Sequence, residues 1–224
     1  MELDVALRTT FAAREFTADP LPDAVLHRIL DTARFAPSGG NRQGWRVIVI
    51  RERRTREALV GLTTPAAKRY AAQLQAGESP WNSVTPTTVP DETIERTPAP
   101  ARLTEPLLKA AAVLVVCVDL RLVAAMDQHL ERVGLVGGAS IYPFAWNILL
   151  AARQEGFGGT ITTLAVAQEP GIKRLLGLPD HVAACAVMPL GRPVRQLTRL
   201  RRMPVPEFAM RERWDGEPFT VPDS

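Results

Sequence analysis

The sequence predicts one domain of mixed helices and strands, and three segments carry that reading. Val25, Leu26, Ile29, Leu30 and Ala33 recur on one side of a helical period, the stripe of an amphipathic helix. Trp45–Ile50 is rich in β-branched residues and reads as a core strand. Residues 110–118 form a continuous apolar run, the pattern of a strand covered on both faces.

The other elements follow in chain order. Leu3–Thr9 reads as a short opening helix, and Pro20 and Pro22 punctuate the start of the amphipathic one. Pro37, Ser38, Gly39 and Gly40 stop that helix before the first strand. Residues 54–62 look helical. Residues 63–103, rich in Pro, Thr and Ser and without sustained periodicity after Leu74, read as a long loop or mobile lid. In 137–152, Ala139, Tyr142, Trp146, Leu149 and Leu150 lie along a nearly all-apolar helix that should be buried centrally. Gly156, Phe157, Gly158 and Gly159 break it. A short helix over 170–176 and a strand over 182–190 complete the core, and the proline-rich remainder reads as an arm on another surface. The division is a domain over 1–194, with 63–105 as its lid or insertion, and an arm over 195–224.

Composition narrows the function. The 224 residues, 46% hydrophobic, suffice for one substantial core, and no run approaches the ~20 apolar residues that span a bilayer. The opening Met-Glu-Leu-Asp has neither a basic nor an apolar region, so no secretory signal is expected. Cys117 and Cys185 lie in apolar runs and read as small buried residues, which fits a reducing, cytoplasmic setting. The net charge of +3 is unevenly placed, with arginine clusters at 51–56 and 195–202. No aromatics interleave with them, which argues against nucleic acid and for solvated faces or an anion site.

Candidate chemistry is sparse. His27, His129 and His181 have no metal spacing, and no serine sits in a nucleophile elbow, so a cofactor must supply the reactive atoms of any enzyme here. Ser38, Gly39, Gly40 and Asn41 form either an ordinary turn or a cradle whose backbone N–H groups approach a ligand. The glycines at 156–159 lack dinucleotide spacing and follow a helix, so they are not a Rossmann turn. Arg14 and the arginines near 199–202 are candidate anion ligands.

Taken in order, these blocks resemble the FMN-dependent nitroreductase family. Ala13-Arg14-Glu15-Phe16 and Pro20-Leu21-Pro22 match its opening, and the run from Ala36 to Trp45, with Pro37, Ser38, Gly39, Asn41 and Gln43, matches its second block. Residues 151–159, 175–179 and 190–193 match its later half. The resemblance implies an α+β fold with a central, mostly antiparallel sheet flanked by helices, and an interlocked homodimer with FMN at the interface. It places Arg14 near the pyrimidine or ribityl side of the flavin, Ser38, Gly39 and Asn41 against it from the partner chain, backbone N–H groups near Thr162 and Thr163 toward N5 and O4, and Arg201 or Arg202 on the phosphate. It implies hydride transfer from NAD(P)H, in ping-pong fashion, to a small-molecule acceptor such as a nitroaromatic or quinone. The alternatives are a flavin-dependent dehydrogenase or oxidase of a peptide-like or natural-product substrate, or a non-catalytic flavin binder. Three positions depart from the pattern: Thr10 and Ala12 stand where the family has Arg and Ser, and Gly44 replaces its Pro.

Overall fold

The computed structural model describes residues 1–221. Its helices are α1 (Leu3–Thr9), α2 (Asp23–Ala33), α3 (Arg53–Gln75), α4 (Asp91–Arg96), α5 (Ala101–Thr104), α6 (Pro106–Lys109), α7 (Tyr142–Gln154) and α8 (Glu169–Leu176). The strands are β1 (Trp45–Ile50), β2 (Ala112–Asp119), β3 (Gly158–Gly159) and β4 (Val182–Gly191), in the order β1-β2-β4-β3 with every neighbour antiparallel. This is the expected α+β arrangement.

β2 explains why the sheet is central. All its residues are buried, and they alternate between two cores. Ala112, Leu114, Val116 and Val118 face α2 and α7, joining Leu26, Ile29, Phe144, Ala145 and Ile148. Val113, Val115 and Cys117 face the other way, joining Leu59, Leu107 and Ile172 of α3, α6 and α8. The two-residue strand period therefore feeds two helical layers from one sheet. Each Val or Leu so buried contributes about 1.5–3 kcal/mol. On the first side Trp45 stacks on Phe144, their ring centres 4.8 Å apart. A bulge gives β4 one extra residue, Cys185, opposite the Val116–Cys117 step. Burial pushes the Cys117 thiol up to about 11.

The structure corrects the expected loop over 63–103. α3 does not stop near Leu62; it continues to Gln75, through Pro65. Leu59, Thr63, Ala66, Ala67 and Ala71 form its buried face, and that tertiary burial outweighs the lost backbone bond at proline. Thr63 and Thr64 donate their hydroxyls to the Leu59 and Val60 carbonyls, occupying two acceptors beside the break. Three short helices follow within 90–109, so this region is ordered as well. A second correction concerns 137–152: residues 136–140 form a 3₁₀ turn, and the buried helix starts at Tyr142. Arg56, read as surface charge, is buried; it donates to the Ala110 carbonyl at 2.6 Å and to Ala111 at 3.1 Å, closing the end of β2 onto α3.

Candidate functional site

The site is built where the chain after α1 runs along the sheet edge. Ala13 N–H donates to the Gly159 carbonyl at 2.9 Å, and Thr17 N–H to Arg192 at 2.9 Å. Glycine at 159 is required by this packing: a Cβ there would lie 2.4 Å from the Pro189 carbonyl oxygen. The flush segment brings Arg14 to a cleft of about 210 Å³, shared with Tyr70 of α3, Arg102 of α5 and residues 160–164. Among the described residues, no carboxylate or histidine lines this cleft. Among the described residues Arg14 makes no ion pair, and its side chain has one polar contact, a long bond of 3.4 Å to the Ala12 carbonyl.

Thr162 and Thr163 differ in a way that decides which can face a ligand. Thr162 exchanges both backbone bonds with Val187, at 3.0 and 2.8 Å, so its N–H is already spent. Thr163 N–H meets no backbone acceptor among the described residues, and Thr163 lines the cleft. Thr10, where the resemblance expects an arginine, is buried with its hydroxyl donated to the Ala6 carbonyl at 2.7 Å. Thr9 likewise donates to Val5 at 2.6 Å. Neither hydroxyl proton is available to a phosphate.

The remaining sequence-predicted residues stand elsewhere on this chain. Pro37, Ser38, Gly39, Asn41 and Gln43 form a loop that does not line the Arg14 cleft. Gly40, Asn41 and Gln43 have positive φ, at 61°, 53° and 49°. Ser38 Oγ accepts the Gln43 N–H at 3.0 Å, Ser140 Oγ accepts the Gly39 N–H at 3.0 Å, and Gln43 Nε2 donates to Asn41 Oδ1 at 3.2 Å. Arg202 lines a separate cleft of about 570 Å³ with Asp4, Arg8 and Arg199, whereas Arg201 does not. Gln196 fixes this tail to the end of α1, donating to the Thr9 carbonyl at 2.9 Å.

Three features were not placed by the sequence, although Trp81 and Tyr70 stand out in it as the main aromatics of the segment expected to set substrate choice. Arg102 enters the Arg14 cleft from a four-residue helix too short to show periodicity. An apolar cleft of about 480 Å³, lined by Ala66, Tyr70, Trp81 and Val166, shares Tyr70, Thr163 and Leu164 with the Arg14 cleft. A third, of about 660 Å³, lies under Leu135 and Tyr142 and also reaches Thr163. Beside it, the buried Asp127 closes the 120–136 loop. It accepts from Leu135 N–H at 2.6 Å and Arg132 at 2.8 Å, and these donors hold its carboxyl down at about 2. Among the described residues no three His, Cys, Asp or Glu come together as a ligand set, and no helix is long and apolar enough to cross a membrane.

The sequence model of the nitroreductase family matches residues 7–192, which span every strand and all of the cleft just described. The chain belongs to the nitroreductase family. Within that family it is 29% identical over 208 residues to the NADH dehydrogenase of Thermus thermophilus, across 86% of this chain and 87% of that one. To the nitrobenzene nitroreductase of Ectopseudomonas oleovorans it is 27% identical over 205 residues, 84% of this chain and 86% of the other. Among solved structures, the NADPH:FMN oxidoreductase from Vibrio harveyi complexed with NAD+ shares the nitroreductase fold, with a TM-score of 0.64 at 21% identity, over 93% of this chain and 76% of that one.

Proposed function

We propose that the chain is an FMN-dependent oxidoreductase that takes hydride from NAD(P)H and delivers it to a small organic acceptor such as a nitroaromatic or quinone, in two alternating half-reactions. One observation carries the reading: Arg14 and Thr163, whose N–H meets no backbone acceptor among the described residues, line one cleft that none of the described carboxylates lines. Such a donor set suits an electron-rich carbonyl-bearing ring that gains negative charge, because fixed cations and N–H dipoles stabilise that charge without reorganising. The family membership and the names of the relatives point the same way.

When bound, FMN supplies the two-electron chemistry, which the side chains of the cleft cannot. Arg14 would hold the electron-rich edge of the ring system, and the Thr163 N–H would offer it a backbone donor. Arg102 and Tyr70 line the cleft beside them. With no carboxylate or histidine there, solvent supplies the protons that accompany reduction of the acceptor. Arg202, with Arg199, is the proposed phosphate ligand, because Thr10 and Ala12 offer none. The loop bearing Pro37, Ser38, Gly39, Asn41 and Gln43 reaches the cofactor of a second copy in a homodimer. Its exposed backbone and the apolar surface of residues 120–136 and the tail support that assembly.

The test is the visible spectrum of the purified protein, followed by release and identification of any flavin. Flavin bands bleached by NADH or NADPH and restored by nitrobenzene support the proposal. A colourless protein that fails to take up FMN defeats it, and bleaching by an organic substrate without NAD(P)H reverses the direction of the reaction.

A further inference from the structure

The turn after α3 carries a hydrogen-bonded chain that the cofactor cleft does not use. Glu78 accepts from Thr87 Oγ1 at 2.5 Å, Thr88 N–H at 2.7 Å, Thr88 Oγ1 at 2.8 Å and Gln73 Nε2 at 3.2 Å. Gln73 is buried on α3, and its Oε1 accepts the backbone N–H of Trp81 at 3.1 Å. A carboxylate and an amide therefore tie the 87–88 segment to the backbone of one tryptophan.

Trp81 is held unusually. Its φ is +57°, in the left-handed region that bulky residues seldom adopt without outside constraint. The Arg69 guanidinium lies over its ring at 4.7 Å. Trp81 lines the 480 Å³ apolar cleft together with Tyr70, and that cleft shares Tyr70, Thr163 and Leu164 with the Arg14 cleft. Half-exposed aromatic surface, fixed by backbone bonds beside a reaction cleft, is suited to stacking a flat ring in offset geometry.

We propose that Glu78 is a positioning residue for Trp81, and that Trp81 and Tyr70 form an aromatic clamp for a planar aromatic acceptor beside the cofactor cleft. The inference rests on the functional reading above and deepens it, naming the residues that choose the acceptor. The Thr87, Thr88 and Gln73 donors hold the Glu78 carboxyl at about 2, so it stays ionised and the chain stays closed at neutral pH. Without Glu78, Gln73 loses the partner that orients its amide, and Trp81 is free to leave positive φ and swing its ring from the cleft.

The test uses the full-length, FMN-loaded protein with NAD(P)H as donor and either nitrobenzene or ferricyanide as acceptor, ferricyanide being a compact complex that needs no stacking. Trp81→Ala and Glu78→Ala each raise the KM for nitrobenzene about tenfold, the scale of one aromatic contact. Flavin content and ferricyanide kinetics stay unchanged, and Trp81→Phe restores most of the affinity. A second readout needs no flavin. Trp81 emission, taken in each background as the spectrum with Trp81 minus that with Trp81→Phe, moves to the red and becomes more open to acrylamide in Glu78→Ala. An unchanged nitrobenzene KM in Trp81→Ala overturns the clamp; unchanged KM and emission in Glu78→Ala overturn the positioning role. Equal losses with both acceptors mark a folding defect and overturn both. Failure of the wild-type protein to take up FMN would instead defeat the functional reading, while the emission shift still decides what Glu78 does.

Discussion

β2 and the C-terminal tail both carry large apolar side chains, and the fold treats them in opposite ways. Every residue of β2 is buried, because α2 and α7 lie on one face of it and α3, α6 and α8 on the other. In the tail, Val205 and Phe208 stay exposed, and Trp214 is 98% exposed. Hydrophobicity thus sets the demand for burial, and topology decides whether one chain can meet it. The tail is tied down near its start by Gln196 and carries its larger apolar side chains into the open, as a surface prepared for another molecule would.

The largest effect should come from the sheet. Leu114→Ala removes a fully buried side chain from the centre of β2 and should cost about 2–5 kcal/mol of stability in urea unfolding. A cost below about 1 kcal/mol would mean that the core tolerates a hole, and the contrast with the tail would collapse. Next is Arg14, in the segment that lies against the sheet edge. Arg14→Ala should weaken FMN retention by about 1.5–3 kcal/mol, the worth of a charge-assisted bond, with little change in the melting temperature of the flavin-free protein. Unchanged flavin affinity by equilibrium dialysis would remove Arg14 from the site.

Between the two regions lies the 120–136 loop, exposed at Met126 and Leu130 yet anchored by the buried Asp127. A carboxyl held at about 2 in the fold, below its unfolded value near 3.9, stabilises fully above that ordinary value and loses the contribution as pH falls toward 2. Thermal stability should therefore be flat at neutral pH and fall across that acid window. Asp127→Asn should be less stable at pH 7 and show a shallower acid limb; an identical limb would assign the acid loss to other carboxylates. The smallest stability effect belongs to the tail. Trp214→Ala should change the stability of the isolated chain by less than about 0.5 kcal/mol and yet, on the proposed homodimer, shift sedimentation toward monomer. A dimer unmoved by that change would leave the tail without a partner.

How far the sequence could be read depended on how strongly burial was written into it. β2 and β4 were legible because continuous Val, Leu and Ala runs bounded by polar residues leave few other readings. α2 was legible from its stripe. The C-terminal half of α3 was not, because its buried face is Thr63 before Pro65 and alanines with Gln73 after it, a face that looks like loop composition. At the site, the Arg14 block and residues 162–163 were found through the resemblance, and the structure brings them together in one cleft. The separate spending of the two backbone N–H groups could not be foreseen, because the bridge from Thr162 to Val187 joins residues far apart in sequence. Arg102, Trp81 and the Glu78 chain depend on where short helices and turns fall in space, which periodicity does not encode.

The thiol of Cys117 sits in the fully buried strand, and burial has pushed it to about 11. Only thiolate reacts with alkylating reagents, and this sulfur is both protonated and shielded at neutral pH. Labelling at Cys117 therefore waits on the sheet coming apart, and its rate is a clock for global opening. That clock would distinguish a ligand that locks the whole domain, and so slows labelling, from one that merely settles a surface segment and leaves it unchanged.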